Sequence, residues 1–326
     1  MRRRLKIGYL NTYTIAPLLV AKHHHWLDDL GWSFEPSMEI GWRPLMQGLF
    51  LGKLDGAIVP PCLPFASAMK DAGERALLSA SAAMTFGGPR VVCSLHVEEA
   101  LEKGKTPTRL RFAATGEFGC ENFYMRRWLR RLGRPDWVSL LEPLKVAVTQ
   151  NLNFLEAGVV DLFLCMEPWG RPESNRRTAR MLLSGEPFEE ALLSRVLVLR
   201  NDYLTVHTGL LERLLPILQR SADWLEEASN QPILAEILSH SGGNLTEREL
   251  FASLKADLPV SSQCGFSYLR PGGGTGRLTY ADMLLGWEIF SEAAFAGKPL
   301  QPLPEAASRL FRIEDKAIPS GRAKLA

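Results

Sequence analysis

One four-residue joint occurs twice in this chain, as Gly52-Lys-Leu-Asp55 and Gly158-Val-Val-Asp161. On each occasion a helical pattern stops at the glycine, which tolerates the left-handed backbone of a C-terminal cap, and an apolar strand follows the aspartate. The joint stands at the same place in two series of five elements. The first series reads as a strand over 5–10, a helical pattern from Ile15 to the stop at Gly31, an extended run over 33–40, a helix over 45–51 and a strand over 54–59. The second reads as a strand over 110–114, a helix over 120–132, a strand over 144–149, a helix over 152–157 and a strand over 160–165. Alternation of strand and helix places both series in the α/β class, and their repetition predicts two similar lobes with mainly parallel sheets. Ligand-side loops then lie at the C-terminal ends of the strands.

The rest of the chain supports the same size and class. At 326 residues, a soft prior of ~150 residues per domain gives about two domains. Past residue 194 an apolar strand over 196–199 is followed by helical spacing over 204–226, 234–239 and 247–254; 272–276 reads as a glycine-rich loop without a P-loop pattern, and 305–326 as a surface extension.

Several function classes are excluded by charge and composition. Lys plus Arg number 38 against 36 Asp plus Glu, a net charge of +2, too balanced for direct nucleic-acid binding through a strong positive field. Five scattered cysteines, Cys62, Cys93, Cys120, Cys165 and Cys264, form no CxxC pair or zinc spacing and read as reduced, buried thiols. His23-His24-His25 cannot present three rings to one ion from a helix, so no metal site is expected and the triplet reads as a solvated helix end. Arg126, Arg127, Arg130, Arg131 and Arg134 lie opposite Met125, Trp128, Leu129 and Leu132, an amphipathic pattern that reads as a solvated basic face. No stretch is long and apolar enough to span a bilayer, and the polar interruptions after Met1-Arg-Arg-Arg4 argue against a signal peptide; the expectation is a cytoplasmic protein without membrane insertion. Paired carboxylates, a nucleophile elbow and H-E-x-x-H are all missing, so neither a cofactor nor a catalytic residue is expected.

Two helix starts carry the functional signal. Asn11-Thr12-Tyr13-Thr14 and Thr115-Gly-Glu-Phe-Gly119 put small and polar residues between a strand end and a helix N-terminus, where free N–H groups attract anions. Two such ends facing each other would form an anion cleft, although simple capping uses similar residues.

Three segments resemble the nitrate- and bicarbonate-binding proteins of ABC uptake systems and their cytoplasmic nitrate-sensor relatives: Ile15 to Lys22, Gly41-Trp42-Arg-Pro-Leu-Met with Leu51-Gly-Lys-Leu-Asp55-Gly-Ala, and Leu155 to Asp161 leading into Met166-Glu167-Pro-Trp169. The resemblance covers about residues 5–230. It implies a type II periplasmic-binding-protein fold, two α/β lobes joined by two crossovers, with lobe I formed by 1–86 plus 194–326 and lobe II by 87–193. It also implies ligand-binding residues: Trp42, Arg195 where relatives carry lysine, Gly88 where relatives carry glutamine, Glu121 near the position of a family histidine, Glu167 and Trp169; the first helix start adds Thr12 and Thr14. By this resemblance the protein binds nitrate or nitrite without catalysis. As a cytoplasmic sensor it would signal to an RNA-binding antiterminator; as the binding component of an importer for nitrate, sulfonate or bicarbonate it would serve an ABC permease and ATPase. Gly8-Tyr9-Leu10-Asn11 is similar to the opening of chorismate dehydratases, so an enzyme on this scaffold, of that kind or like the thiamine pyrimidine synthases, is the alternative of another class.

Overall fold

The computed structural model describes residues 3–10, 13–70, 78–87, 90–116, 120–165, 179–182, 193–241, 246–248, 250, 268, 276–294 and 310–313. Among the described residues ten strands fall into two five-stranded sheets. The first contains β1 (Arg3–Leu10), β2 (Trp32–Glu39), β3 (Gly56–Val59), β4 (Leu78–Phe86) and β10 (Leu193–Arg200) in the order β2-β1-β3-β10-β4. The second contains β5 (Arg90–Ser94), β6 (Leu110–Ala114), β7 (Leu141–Lys145), β8 (Leu162–Cys165) and β9 (Ala179–Leu182) in the order β7-β6-β8-β5-β9. The orders are the same once β10 is matched with β5. Each of these two strands returns antiparallel, after the chain has left one sheet for the other.

The sequence expectation of mainly parallel sheets is corrected here. The β2-β1-β3 and β7-β6-β8 parts are parallel, whereas β10 and β5 pair antiparallel with both neighbours, so each sheet is mixed. Parallel pairing belongs to the strand–helix–strand units, and antiparallel pairing to the strands at the crossovers.

Helices pack on these sheets: α1 (Ala16–His23), α2 (Trp42–Phe50), α3 (Leu63–Lys70), α4 (Leu95–Glu102), α5 (Glu121–Arg131), α6 (Asn151–Glu156), α7 (Asn201–Val206), α8 (Leu210–Glu226), α9 (Gln231–Ser239) and α10 (Tyr280–Ala294). In α8 the buried residues Leu210, Leu214, Leu218, Ala222 and Leu225 recur every three or four positions, the stripe that holds the helix against α1. Where one helical run was expected over 204–226, Gly209 takes a left-handed φ of 75° and separates α7 from α8. One apolar cluster runs through both sheets, from Trp42, Leu45 and Phe65 to Phe112, Tyr124 and Trp128.

Other expectations shift. The strand expected over 144–149 lies earlier, as β7, and 148–150 forms a 3₁₀ turn, because β7 is an edge strand with exposed residues and Pro143 and therefore lacks an apolar signature. Leu310 and Phe311 are buried, with Phe311 bridging to Ala80 and stacking on Phe65 at 5.3 Å, so this part of 305–326 is core rather than surface extension. His24 stacks on Trp26 at 4.8 Å and meets Trp224 edge-on at 5.3 Å, which removes it from the solvated end that His23 and His25 do form. Among the described residues no helix is long and apolar enough to cross a membrane, and no cluster of metal-ligating side chains occurs.

Candidate functional site between the two sheets

The site begins with two chain segments that leave strand ends on opposite sheets. Trp42 is the first residue of α2, just past β2, and Thr115 immediately follows β6. The indole Nε1 of Trp42 donates to Thr115 Oγ1 at 2.7 Å across 73 residues of sequence. Thr115 in turn donates its hydroxyl proton to Glu121 Oε1, in a short hydrogen bond, and its backbone N–H lies 3.4 Å from the same oxygen. Glu121 opens α5, so its carboxylate folds back over the helix N-terminus and takes the place that the sequence reserved for an external anion.

Arg195 approaches from the other sheet. It pairs with Thr85 across the β10–β4 ladder, and the register shifts on both sides of it. Such an irregularity re-aims a side chain, and it does so here at the end of the sheet where the chain has just returned from the second lobe. The guanidinium lies 5.7 Å from the centre of the Trp42 ring, and its Nη1 donates to Ser194 O at 2.7 Å and, more weakly, to Cys120 Sγ at 3.8 Å. Cys120 is the N-cap of α5, so Arg195 links the sheets a second time.

All the central groups are withdrawn from water: Trp42 is 8% exposed, Glu121 4% and Arg195 2%. The surroundings register that dryness. Burial pushes the Cys120 thiol up to about 12, with Arg195 pulling the other way, and pushes the Cys62 thiol well above its ordinary value, helped by Cys120 and Glu121. The Tyr124 phenol is raised for the same reason, burial first. Cys62, Cys93 and Cys120 are buried thiols outside any disulfide, as the composition suggested, and protonated ones behave as small apolar groups. A cation and a carboxylate are thus both buried beside the start of α5, in a low-dielectric interior where each charge acts over a longer range than in water.

Of the residues expected to bind ligand, the structure brings Trp42, Arg195 and Glu121 together through Thr115 and Cys120. Thr14 is buried in the 3₁₀ turn between β1 and α1. Thr12, Gly88, Glu167 and Trp169 lie outside the described residues. Cys62 and Tyr124 were not singled out from sequence, and their signals were positional. Cys62 follows β3 and Tyr124 stands one turn into α5, both at strand-to-helix transitions, but their types read as ordinary core. The basic face of α5 is also corrected. Arg126 Nε and Arg130 Nη1 lie 3.7 and 3.6 Å from Glu292 Oε1 of α10, and Arg127 Nη1 lies 4.0 Å from Glu288 Oε1, so part of the face meets an acidic helix while Arg130 and Arg131 stay exposed.

Two mixed sheets of the same strand order, linked by two crossovers with polar groups buried between them, define a two-lobed α/β solute-binding fold of the type II periplasmic kind. Residues 2–239 match the NMT1-like family, and the chain belongs to that family. The structure resembles that of the periplasmic nitrate-binding protein NrtA from Synechocystis PCC 6803, with a TM-score of 0.73 at 16% identity over 95% of this chain and 86% of that one. It also resembles the alkanesulfonate-binding protein SsuA from Xanthomonas axonopodis pv. citri, with a TM-score of 0.62 at 16% identity over 95% and 98% of the two chains. In sequence it is 24% identical over 262 residues to the bicarbonate-binding protein CmpA of Synechococcus elongatus, covering 73% of this chain. It is 25% identical over 177 residues to the nitrate import ATP-binding protein NrtC of the same organism, covering 51% of this chain. The matches span only 57% and 27% of those two relatives' lengths.

Proposed function

We propose that this protein is a non-enzymatic solute-binding protein that holds a small oxyanion between two lobes, 1–86 plus 194–326 and 87–193, and closes on it. The observation that carries this reading is the pair of links across the sheets, Trp42 to Thr115 and Arg195 to Cys120, made by residues at strand ends. Contacts that exist only when the lobes are together are the means by which a ligand bound there favours the closed form. Nitrate or nitrite is the oxyanion implied by the resemblance, and the relatives named for nitrate and bicarbonate support the class. Those relatives also support a role beside an ABC permease and ATPase, in preference to the cytoplasmic sensor with an RNA-binding antiterminator as partner that the sequence suggested. Cell fractionation separates the two roles: recovery with the cytosol favours the sensor, and recovery outside the cytoplasmic membrane favours uptake.

Arg195 is the group on which the reading depends. An anion leaving water loses several kcal/mol of solvation, and a helix N-terminus returns only ~0.3 to 2 kcal/mol, so a fixed cation must supply the difference. Arg195→Ala is expected to lower the affinity for a bound oxyanion at least tenfold, about 1.4 kcal/mol, with Arg195→Lys keeping part of it. Trp42→Ala is expected to weaken binding as well, through the lost indole donor and ring. Isothermal calorimetry on variants that stay folded checks this, and unchanged affinity in Arg195→Ala rejects the site.

A further inference from the structure

We infer that α10 is a strap across the two lobes whose grip is set by the proton on Glu292, so that mild acid holds the lobes together and tightens the site between them. The effect on the site rests on the oxyanion-binding reading above; the strap itself is tested without a ligand. The helix is seated on the first lobe. Thr279 and Asp282 cap its start reciprocally, Thr279 N–H donating to Asp282 Oδ2 at 2.7 Å and Asp282 N–H to Thr279 Oγ1 at 3.3 Å. Gly286 lets it lie directly on the chain before α3, since a Cβ there would come 2.6 Å from Pro61 O. Trp287 meets Phe65 of α3 edge-on at 5.5 Å, and Phe290 stacks on the same ring at 6.3 Å. On another face, one turn apart, Glu288 and Glu292 reach α5 of the second lobe. That helix begins with Cys120 and Glu121 of the site, so one element carries both the strap contact and part of the site.

The contact with α5 is a poor one for a charge. Glu292 Oε1 lies 3.7 Å from Arg126 Nε and 3.6 Å from Arg130 Nη1, too far for hydrogen bonds, and the oxygen is buried with no hydrogen bond among the described residues. A carboxylate oxygen stripped of water without such bonds loses more in solvation than long ion pairs return. The charged groups facing it are Arg126, Arg127 and Arg130 of α5 and Glu288 of its own helix, while α3 turns the apolar Phe65 towards α10. Burial raises the Glu292 carboxyl above its ordinary value, against the pull of the arginines. Separating the lobes takes α5 away and returns Glu292 to water. The form with the lobes together therefore holds the proton more firmly, so acid favours that form and the advantage is lost as pH rises through the raised value.

The test uses the full chain and Glu292→Gln, whose amide stands in for the protonated acid. Small-angle X-ray scattering without added anion reads the lobes. The wild type is expected to have a smaller radius of gyration at about pH 5 than at neutrality, and Glu292→Gln to have the smaller value at both. Calorimetry with nitrate as the probe reads the site. The wild type is expected to bind it about threefold more tightly at about pH 5 than at neutrality, and Glu292→Gln to bind at the tighter level throughout. A response to pH of the same size in Glu292→Gln overturns the assignment to Glu292. A wild type whose radius stays constant or grows in acid overturns the strap. Nitrate that binds neither protein, while the scattering responds as expected, rejects the oxyanion reading and leaves the strap standing. Circular dichroism establishes that the variant is folded; should it not be, Glu292→Leu takes its place with the same expectations.

Discussion

The joints of the two lobes are built on the same backbone plan and differ in their side chains. In the first, Gly52 takes a φ of 68° and in the second Gly158 takes a φ of 68°. Asp55 N–H donates to Lys6 O at 2.8 Å while its Oδ2 accepts Lys6 N–H at 2.8 Å. Asp161 brackets Arg111 in the same way, at 2.7 and 2.8 Å. Each aspartate carbonyl then accepts an N–H from the end of the antiparallel strand, Arg200 in one lobe and Ser94 in the other. One aspartate thus ties three strands, a role that Asn could fill only in part and an apolar residue not at all. The side chains diverge from there. Arg111 lays its fork on Asp161, with Nε and Nη2 donating at 3.0 and 2.8 Å, whereas Lys6 turns to Glu35 of the neighbouring strand at 3.2 Å. What the two lobes share is the strand clamp; the reinforcement of it is local to each.

That difference sets the largest expected effect. Asp161→Ala strands the Arg111 backbone N–H and also its partly buried guanidinium, and a loss of about 2–3 kcal/mol follows from one unsatisfied amide plus a partly screened charge. Asp55→Ala strands the amide alone and is expected to cost about 1–2 kcal/mol. Urea unfolding midpoints, compared at constant slope, measure both. Equal losses would show that the Arg111 fork adds nothing to the clamp. The glycines give a smaller contrast. An alanine at either must hold a left-handed backbone, about 1 kcal/mol. At Gly158 a new Cβ meets nothing within 4 Å, while at Gly52 it would come 2.5 Å from Arg200 Nη1, whose side chain is tethered to Asp202 and Leu54. Gly52→Ala is therefore expected to cost about twice as much as Gly158→Ala by the same measurement.

The joints could be read from sequence because they depend on local chemistry: a positive φ that glycine supplies and an aspartate next to a strand. Strand β4 could not. Its sequence, LSASAAMTF, is buried at every position, so it shows no alternation, and its alanines and serines have little strand preference. Burial on both faces is a property of the assembled sheet, and the same holds for the antiparallel placing of β10 and β5. At the site, Trp42, Arg195 and Glu121 were reached through family resemblance, and Thr115 through the anion-like helix start. The contact between Trp42 and Thr115 spans two sheets and leaves no periodic trace. Glu121 was expected to bind ligand, near the position of a family histidine. Its fold back onto Thr115 follows from the geometry of the helix start, which spacing alone does not encode.

The smallest expected effect lies where the resemblance between the lobes breaks down. Helix α10 packs on α3, with Trp287 meeting Phe65 at 5.5 Å, and reaches over to α5 of the other lobe through Glu288 and Glu292. Two opposed terms act on Glu292. Its ion pairs with Arg126 and Arg130 are long, and Arg130 is largely solvated, so they are worth well under ~1 kcal/mol. Burial raises its carboxyl above the usual range, more than the arginines lower it, so keeping the group charged costs the folded state. Glu292→Gln removes both terms and is expected to change stability at neutral pH by less than ~1 kcal/mol. The sign appears on acidification. A carboxyl whose folded value is raised contributes stability that is present in full below its unfolded value and is lost as pH rises through the folded one. The wild type is therefore expected to gain on Glu292→Gln as pH falls from neutral into the carboxylate range, read as the difference between their urea midpoints. A wild type that loses ground to the variant on acidification would mean that the ion pairs outweigh burial, making α10 an electrostatic strap between lobes rather than an apolar one.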